Sequence, residues 1–148
     1  MPTFDQIQSR FREFKNQENE YWGHLRESLN TLVEKVGHTL EIPNPRHLRL
    51  GALDETGKFE MLHVSIIPAT QRNIDFSLQL ILSEDESLVP PSKLVTNWSI
   101  TRENGVIKVF NRFERRTPIS FEDAPAAVAM AFARAMENSN PSDYSDIS

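Results

Sequence analysis

The chain has 148 residues, of which 39% are apolar and 25% charged, and a formal net charge of −5. That length fits one domain around one core, with the composition of an ordinary soluble globular protein. With no cysteine there is no disulfide framework, thiolate metal site or cysteine nucleophile, and the apolar runs fall far short of the roughly 20 residues of a membrane span.

The charge is unevenly spread: −2 over residues 1–45, +1 over 46–116 and −4 over 117–148. This is not the strongly basic footprint of a dedicated nucleic-acid-binding domain. The first residues lack the basic start and apolar centre of a secretory signal, so the expected location is the cytoplasm.

The first 36 residues read as helix. Thr3 followed by Gln6 matches a capping box. Ile7, Phe11, Phe14, Tyr21, Leu25, Leu29, Leu32 and Val36 keep steps of three and four, with Glu18 in one seam position. Gly37 is the expected stop. One unbroken helix would span roughly 50 Å, longer than strands of about 17–20 Å. Either the polar KNQENE stretch (15–20) breaks it, or its first turns project past the body. The reading taken is a break or bend near Asn16–Glu20. The seam as a whole can pack on the sheet; alternatively Phe4, Ile7, Phe11 and Phe14 form a partner-binding arm, a large apolar load for a segment overhanging its own core.

From residue 45 to 113 the period becomes two. RHLRLGAL (46–53) and KFEMLHVSII (58–67) flank the turn-rich Asp54–Gly57. IDFSLQLIL (74–82) alternates cleanly, with Ile74, Phe76, Leu78, Leu80 and Leu82 on one face. LVTNWSIT (94–101) and VIKVFNRF (106–113) flank Asn104-Gly105, which suits a tight hairpin because both residues tolerate positive φ. Five antiparallel strands in meander order are expected. The second is apolar on both faces, as a central or bulged strand would be.

Ser120 with Asp123, then Pro125, mark the start of a helix over 121–138 whose stripe is Phe121, Ala124, Val128, Ala131, Phe132 and Ala135. Its seven alanines make a slim cylinder. Residues 139–148 lack a core pattern and are expected to be a flexible acidic tail. The predicted architecture is α+β in a single domain over 1–138. A long N-terminal helix and an Ala-rich C-terminal helix pack on one face of an antiparallel sheet.

HVSI (63–66) resembles one half of a two-histidine phosphoesterase site, where a strand presents imidazole and hydroxyl side by side for proton transfer and phosphate contact. The resemblance covers four residues and lacks its second copy: in GHTLE (37–41) the hydroxyl is adjacent to His38, on the wrong face of a strand. A phosphoesterase using His63 and Ser65 is the weakest alternative. His38, Glu41 and His47 sit on a connector held extended by the prolines of EIPNP (41–45), without a metal site's spacing. SEDES (83–87) lacks a calcium loop's glycine and alternating ligands. With five glycines and no phosphate cradle or nucleophile elbow, no catalytic residue, metal or cofactor is assigned, and the reading leans away from an enzyme.

RENGVIKVFNRFERR (102–116) interleaves Arg102, Lys108, Arg112, Arg115 and Arg116 with Phe110 and Phe113. Lys108, Phe110 and Arg112 are expected to face outward together. That pattern serves a guarded sheet edge or local charge pairing, an acidic protein partner, or single-stranded nucleic acid, the first being preferred.

The helix–sheet–helix order and acidic balance resemble type III secretion chaperones, which dimerise and hold an extended effector. Those proteins carry a helix between their third and fourth strands, where this chain has SEDESLVPPSK (83–93) with paired prolines, so the family is not assigned. The expected function is a small intracellular binding or regulatory protein: an inhibitor, immunity factor, adaptor or chaperone-like module. Its partner would be another protein or a second copy. A nucleic-acid-binding accessory protein using the 102–116 hairpin is the alternative.

Overall fold

A computed structural model describes residues 1–86 and 91–138, with residues 114–116 described by their backbone alone. Thr3 opens the first helix as its sequence requires: the Gln6 N–H donates to Thr3 Oγ1 at 3.3 Å, and the Thr3 N–H donates to Gln6 Oε1 at 3.0 Å. From there α1 runs without interruption over Phe4–Thr39, 36 residues and so about 54 Å. The expected break near Asn16–Glu20 is therefore corrected. That stretch contains neither glycine nor proline, and exposed polar residues of ordinary helix propensity do not end a helix.

Gly37 is not the stop. The helix closes two residues later, where Glu41 takes a φ of +53°, its N–H donates to His38 O at 3.1 Å and the Ile42 N–H to Gly37 O at 3.2 Å. This is the double closure of a Schellman motif. Gly37 instead makes room: a Cβ there would lie 3.3 Å from Ile42 Cδ1, the side chain that folds back over the helix end.

Among the described residues seven strands pair antiparallel in one sheet: β1 (Leu48–Leu53), β2 (Phe59–Met61), β3 (Ala69–Thr70), β4 (Asn73–Ile81), β5 (Lys93–Glu103), β6 (Val106–Asn111) and β7 (Glu114–Ser120). The order is β2-β1-β4-β5-β6-β7, with β3 beside the start of β4. This corrects the five-strand meander in count and order.

β4 passes over β2 to lie against β1, with Leu50 opposite Leu78. The segment 58–67 is not one strand, because after Met61 it leaves the ladder for a 3-10 turn at Val64–Ile66. Val64 and Ile67, three apart, drop into the core together, since a 3-10 turn aligns positions i and i+3. The Arg26 guanidinium fixes that turn from α1, donating to Val64 O at 2.5 Å. The seventh strand, ERRTPIS, has no counterpart among the expected strands, and it carries charge and Pro118. Both belong on an edge strand, where an amide can go unpaired.

Ser120 Oγ accepts from the Asp123 N–H at 3.2 Å, but the chain makes a turn before α2 (Ala124–Glu137) begins, three residues later than expected. Leu25, Leu29, Leu32 and Val36 of α1, with Ala124, Val128 and Phe132 of α2, share one core with Ile74, Phe76, Leu78, Trp98, Ile100 and Val109. Phe76 and Trp98 are cross-strand partners at its centre. The opposite face of β4 and β5 is polar: Ser77 Oγ donates to Asn97 Oδ1 at 2.5 Å, and Ser99 Oγ donates to Asp75 Oδ1.

Two variants test this framework. At Gly51 a Cβ would overlap the carbonyl oxygen of Glu60 and come within 2.9 Å of the Phe59 ring. Gly51→Ala is therefore expected to cost about 2 kcal/mol of unfolding free energy in a urea titration. In the β1–β2 turn, Asp54 Oδ1 accepts from Thr56 Oγ1 at 2.6 Å and from the Thr56 and Lys58 N–H groups at 2.9 Å. The Thr56 hydroxyl, followed by the Lys58 amide, holds this carboxyl below the ordinary aspartate range. A depressed folded-state pKa gives stability that is present above the unfolded value and is lost as pH falls through the folded one. The stability difference between wild type and Asp54→Asn should thus be constant near neutrality and shrink below the ordinary aspartate pKa, read from urea midpoints against pH.

Candidate functional site

Every residue from Met1 to Glu20 is exposed, and α1 is first partly covered by the body at Tyr21. About 25 Å of helix, residues 4–20, therefore stands clear of the sheet. Phe4, Ile7, Phe11 and Phe14 retain 75, 59, 65 and 54% of their accessible surface. Their spacing of three, four and three puts them on one stripe of that helix. It continues the buried seam of Leu25, Leu29 and Leu32, drifting by about 20° per heptad. The sequence's alternative of projecting first turns is the arrangement found. Other large exposed apolar side chains, Met61, Ile66, Leu82, Val106, Phe113 and Met130, lie on separate elements.

The root of the arm is a cluster that sequence reasoning missed. Tyr21 Oη donates to the Arg72 carbonyl at 2.5 Å and lies 3.4 Å from the Arg102 N–H, which donates to it. This one side chain ties α1 to the start of β4 and the end of β5. The Arg72 guanidinium stacks 3.8 Å from the Tyr21 ring centroid, with the Trp22 ring at 5.9 Å. The two rings meet edge to face at 5.0 Å. The same guanidinium reaches Glu18 Oε1 at 2.6 Å, so the charge interrupting the apolar seam is matched from the body. The sequence signal was there: an acidic residue in a seam position, then an aromatic pair. Its cationic partner, 54 residues away, has no local signature. Along the arm, the Arg10 guanidinium lies 5.6 Å from the Phe14 ring.

Among the described residues, the basic-aromatic stretch does not share one face. Asn104 and Gly105 take φ of +52° and +78°, forming the expected tight turn. Lys108 and Phe110 share the polar sheet face, opposite Thr101 and Ser99, whereas Arg102 pairs with Ile107 on the other face. β6 ends at Asn111, so Arg112 does not continue its alternation; it sits in the turn to β7, its guanidinium 5.8 Å from the Phe113 ring. β6 is no sheet edge, because β7 covers it, which corrects the edge-guarding half of the expectation for Lys108 and Phe110. Its other half, local charge pairing, is found at Lys108, whose Nζ pairs with Glu103 at 3.6 Å. The side chains of Arg115 and Arg116, and residues 139–148, lie outside the described residues.

His63 and Ser65 do meet, with Nδ1 to Oγ at 2.7 Å, but on a 3-10 turn rather than a strand. His63 Nδ1 also accepts the Ser65 N–H at 3.2 Å, so the ring acts as a helix cap. His38, Glu41 and His47 do not form a metal-binding group; none of three or more such side chains occurs among the described residues. His47 Nδ1 is 3.0 Å from Ile81 O. No helix among the described residues is long and apolar enough to cross a membrane. Comparison of the chain with protein-family models, curated proteins and solved structures gives no match.

The root separates two contributions. The Glu18–Arg72 pair is exposed, with about half of each side chain in solvent, so Glu18→Gln should change stability by less than about 0.5 kcal/mol. Arg72→Ala also removes the stack on Tyr21 and should cost about 1 kcal/mol, with little dependence on salt. Urea titrations at two ionic strengths check both.

Proposed function

We propose that the protein is a small non-enzymatic binding module acting through protein–protein contact, and that the arm of α1 is its contact surface. The observation that carries this reading is the stripe of Phe4, Ile7, Phe11 and Phe14, left open by the body along 17 residues of helix. Three phenylalanines and an isoleucine in water forgo burial that each would gain against a partner. Basic and acidic residues flank the stripe (Asp5, Arg10, Arg12, Glu13, Lys15), which suits an aqueous helix presenting one apolar edge. An amphipathic helix that lays such an edge against a partner is a recurring mode of recognition. Inhibitor, immunity, adaptor and chaperone-like roles share this requirement, and the cysteine-free sequence suits a reducing cytoplasm.

Replacing Phe11 and Phe14 together by alanine is expected to abolish partner binding or self-association while leaving the melting temperature nearly unchanged. Calorimetry and a sizing column with light scattering read the two effects. A fall of ~10 °C or more, the size expected when core phenylalanines are truncated, would place the rings in the core and overturn the reading.

A further inference from the structure

We infer that the arm pairs with the arm of a second copy of this chain, antiparallel, about a two-fold axis that crosses the seam at the height of Ser9. The inference rests on the reading of the arm as a contact surface and adds its occupant and orientation. The apolar positions 4, 7, 11 and 14 are separated by three, four and three residues, a spacing identical from either end. Reversed and laid on itself, the stripe sets Phe4 against the partner's Phe14 and Ile7 against the partner's Phe11, with no apolar side chain left over. Two apolar positions per heptad form the narrow seam of a helix pair, whereas a flat sheet face accepts a broader stripe.

The area on offer is of the right order. At the exposures found, two arms together offer on the order of 1,000 Å² of apolar side-chain surface, the lower bound for a specific interface.

Charge selects the direction. A parallel pair in register would stack Glu18 on the partner's Glu18 and set Arg10 beside the partner's Lys15, like charge against like in each case. The antiparallel register leaves Glu18 beyond the paired stretch, where its 2.6 Å contact with Arg72 is undisturbed. Arg10 meets the partner's Arg10 at the axis, the single like-charge contact of this arrangement, and opposed helix dipoles favour it. The two Tyr21 roots lie about 36 Å apart along the axis, so the bodies sit at opposite ends of the paired stretch. The isologous contact closes on itself and stops at two chains.

The absence of cysteine gives a clean test on the full chain. Sedimentation equilibrium should show a dimer for the wild type and a monomer for the Phe11→Ala, Phe14→Ala variant. Gln8→Cys and Lys15→Cys each introduce one thiol on the same flank of the seam. In the antiparallel register a residue 8 lies about 3 Å along the axis from its copy, and a residue 15 about 18 Å from its own. A short bismaleimide should therefore join Gln8→Cys chains and leave Lys15→Cys chains single. A dimer in which neither variant joins is a parallel pair, and one in which both join efficiently has another register; either overturns the inference. So does a wild type that stays monomeric at the highest attainable concentration. If the double variant then melts unchanged, the arm is free and takes a helix of another protein. If it melts far lower, the arm reading itself fails.

Discussion

The burial of four α1 side chains against the centre of the sheet is the contact on which the rest of the molecule depends. Leu25, Leu29, Leu32 and Val36 are fully buried and span about 17 Å of helix axis, close to the length of an average strand. They lie over the face that carries the Phe76–Trp98 pair. Once those turns are seated, a straight helix has no further sheet to cover in its N-terminal direction. Phe4 to Glu20 must overhang, because bending back would need a kink for which the sequence supplies neither proline nor an internal glycine. Gly23 comes later, inside the region held by the body. The arm is thus a geometric consequence of where the core anchors α1.

That anchoring also supplies the arm's stability. An isolated 17-residue helix is marginal in water because its first turn must be nucleated. Here the nucleus is already formed and held by tertiary packing, so each further residue adds only the modest term of propagation. The Tyr21–Arg72 cluster sits where packed helix becomes solvated helix. Its hydrogen bonds to the backbone of both strands at one end of the β4–β5 ladder stop fraying of the arm from reaching the core. At the far end the capping box satisfies amides that would otherwise start that fraying.

The elements that carry strong local patterns were legible in the sequence: the cap and seam of α1, the alternation of β4 as far as Leu80 (beyond it Ile81 and not Leu82 is buried), the Asn104-Gly105 turn and the alanine-rich α2. What was not legible depended on distant partners or on sheet position. ERRTPIS satisfies the chemistry of an edge strand and of a loop equally well, and only its pairing with β6 decides. The 58–67 segment alternates imperfectly because it changes from strand to 3-10 turn after Met61, held there by Arg26 from another element. The order of β1, β2 and β4 follows from that departure, since β2 ends after three residues and leaves the other edge of β1 to β4. KNQENE resembles a break for the same kind of reason. A helix leaving its core loses apolar periodicity just as a helix that ends does.

The width of the apolar stripe carries more information than its presence. Between Tyr21 and Val36 the seam is broad: Trp22 and Val33 join the strict heptad positions and pack partly against the core. Between Phe4 and Phe14 it narrows to single residues three or four apart, flanked by Gln8, Arg10 and Lys15. A sheet face is wider than one row of side chains and draws flanking positions into contact, while a second helix covers a single row and leaves the flanks in water. The step in width near Glu18 therefore marks, within one unbroken helix, the change from packing on the protein's own sheet to packing suited to another helix. That step is readable in the residues alone, and the exposure of positions 1–20 gives it its structural meaning.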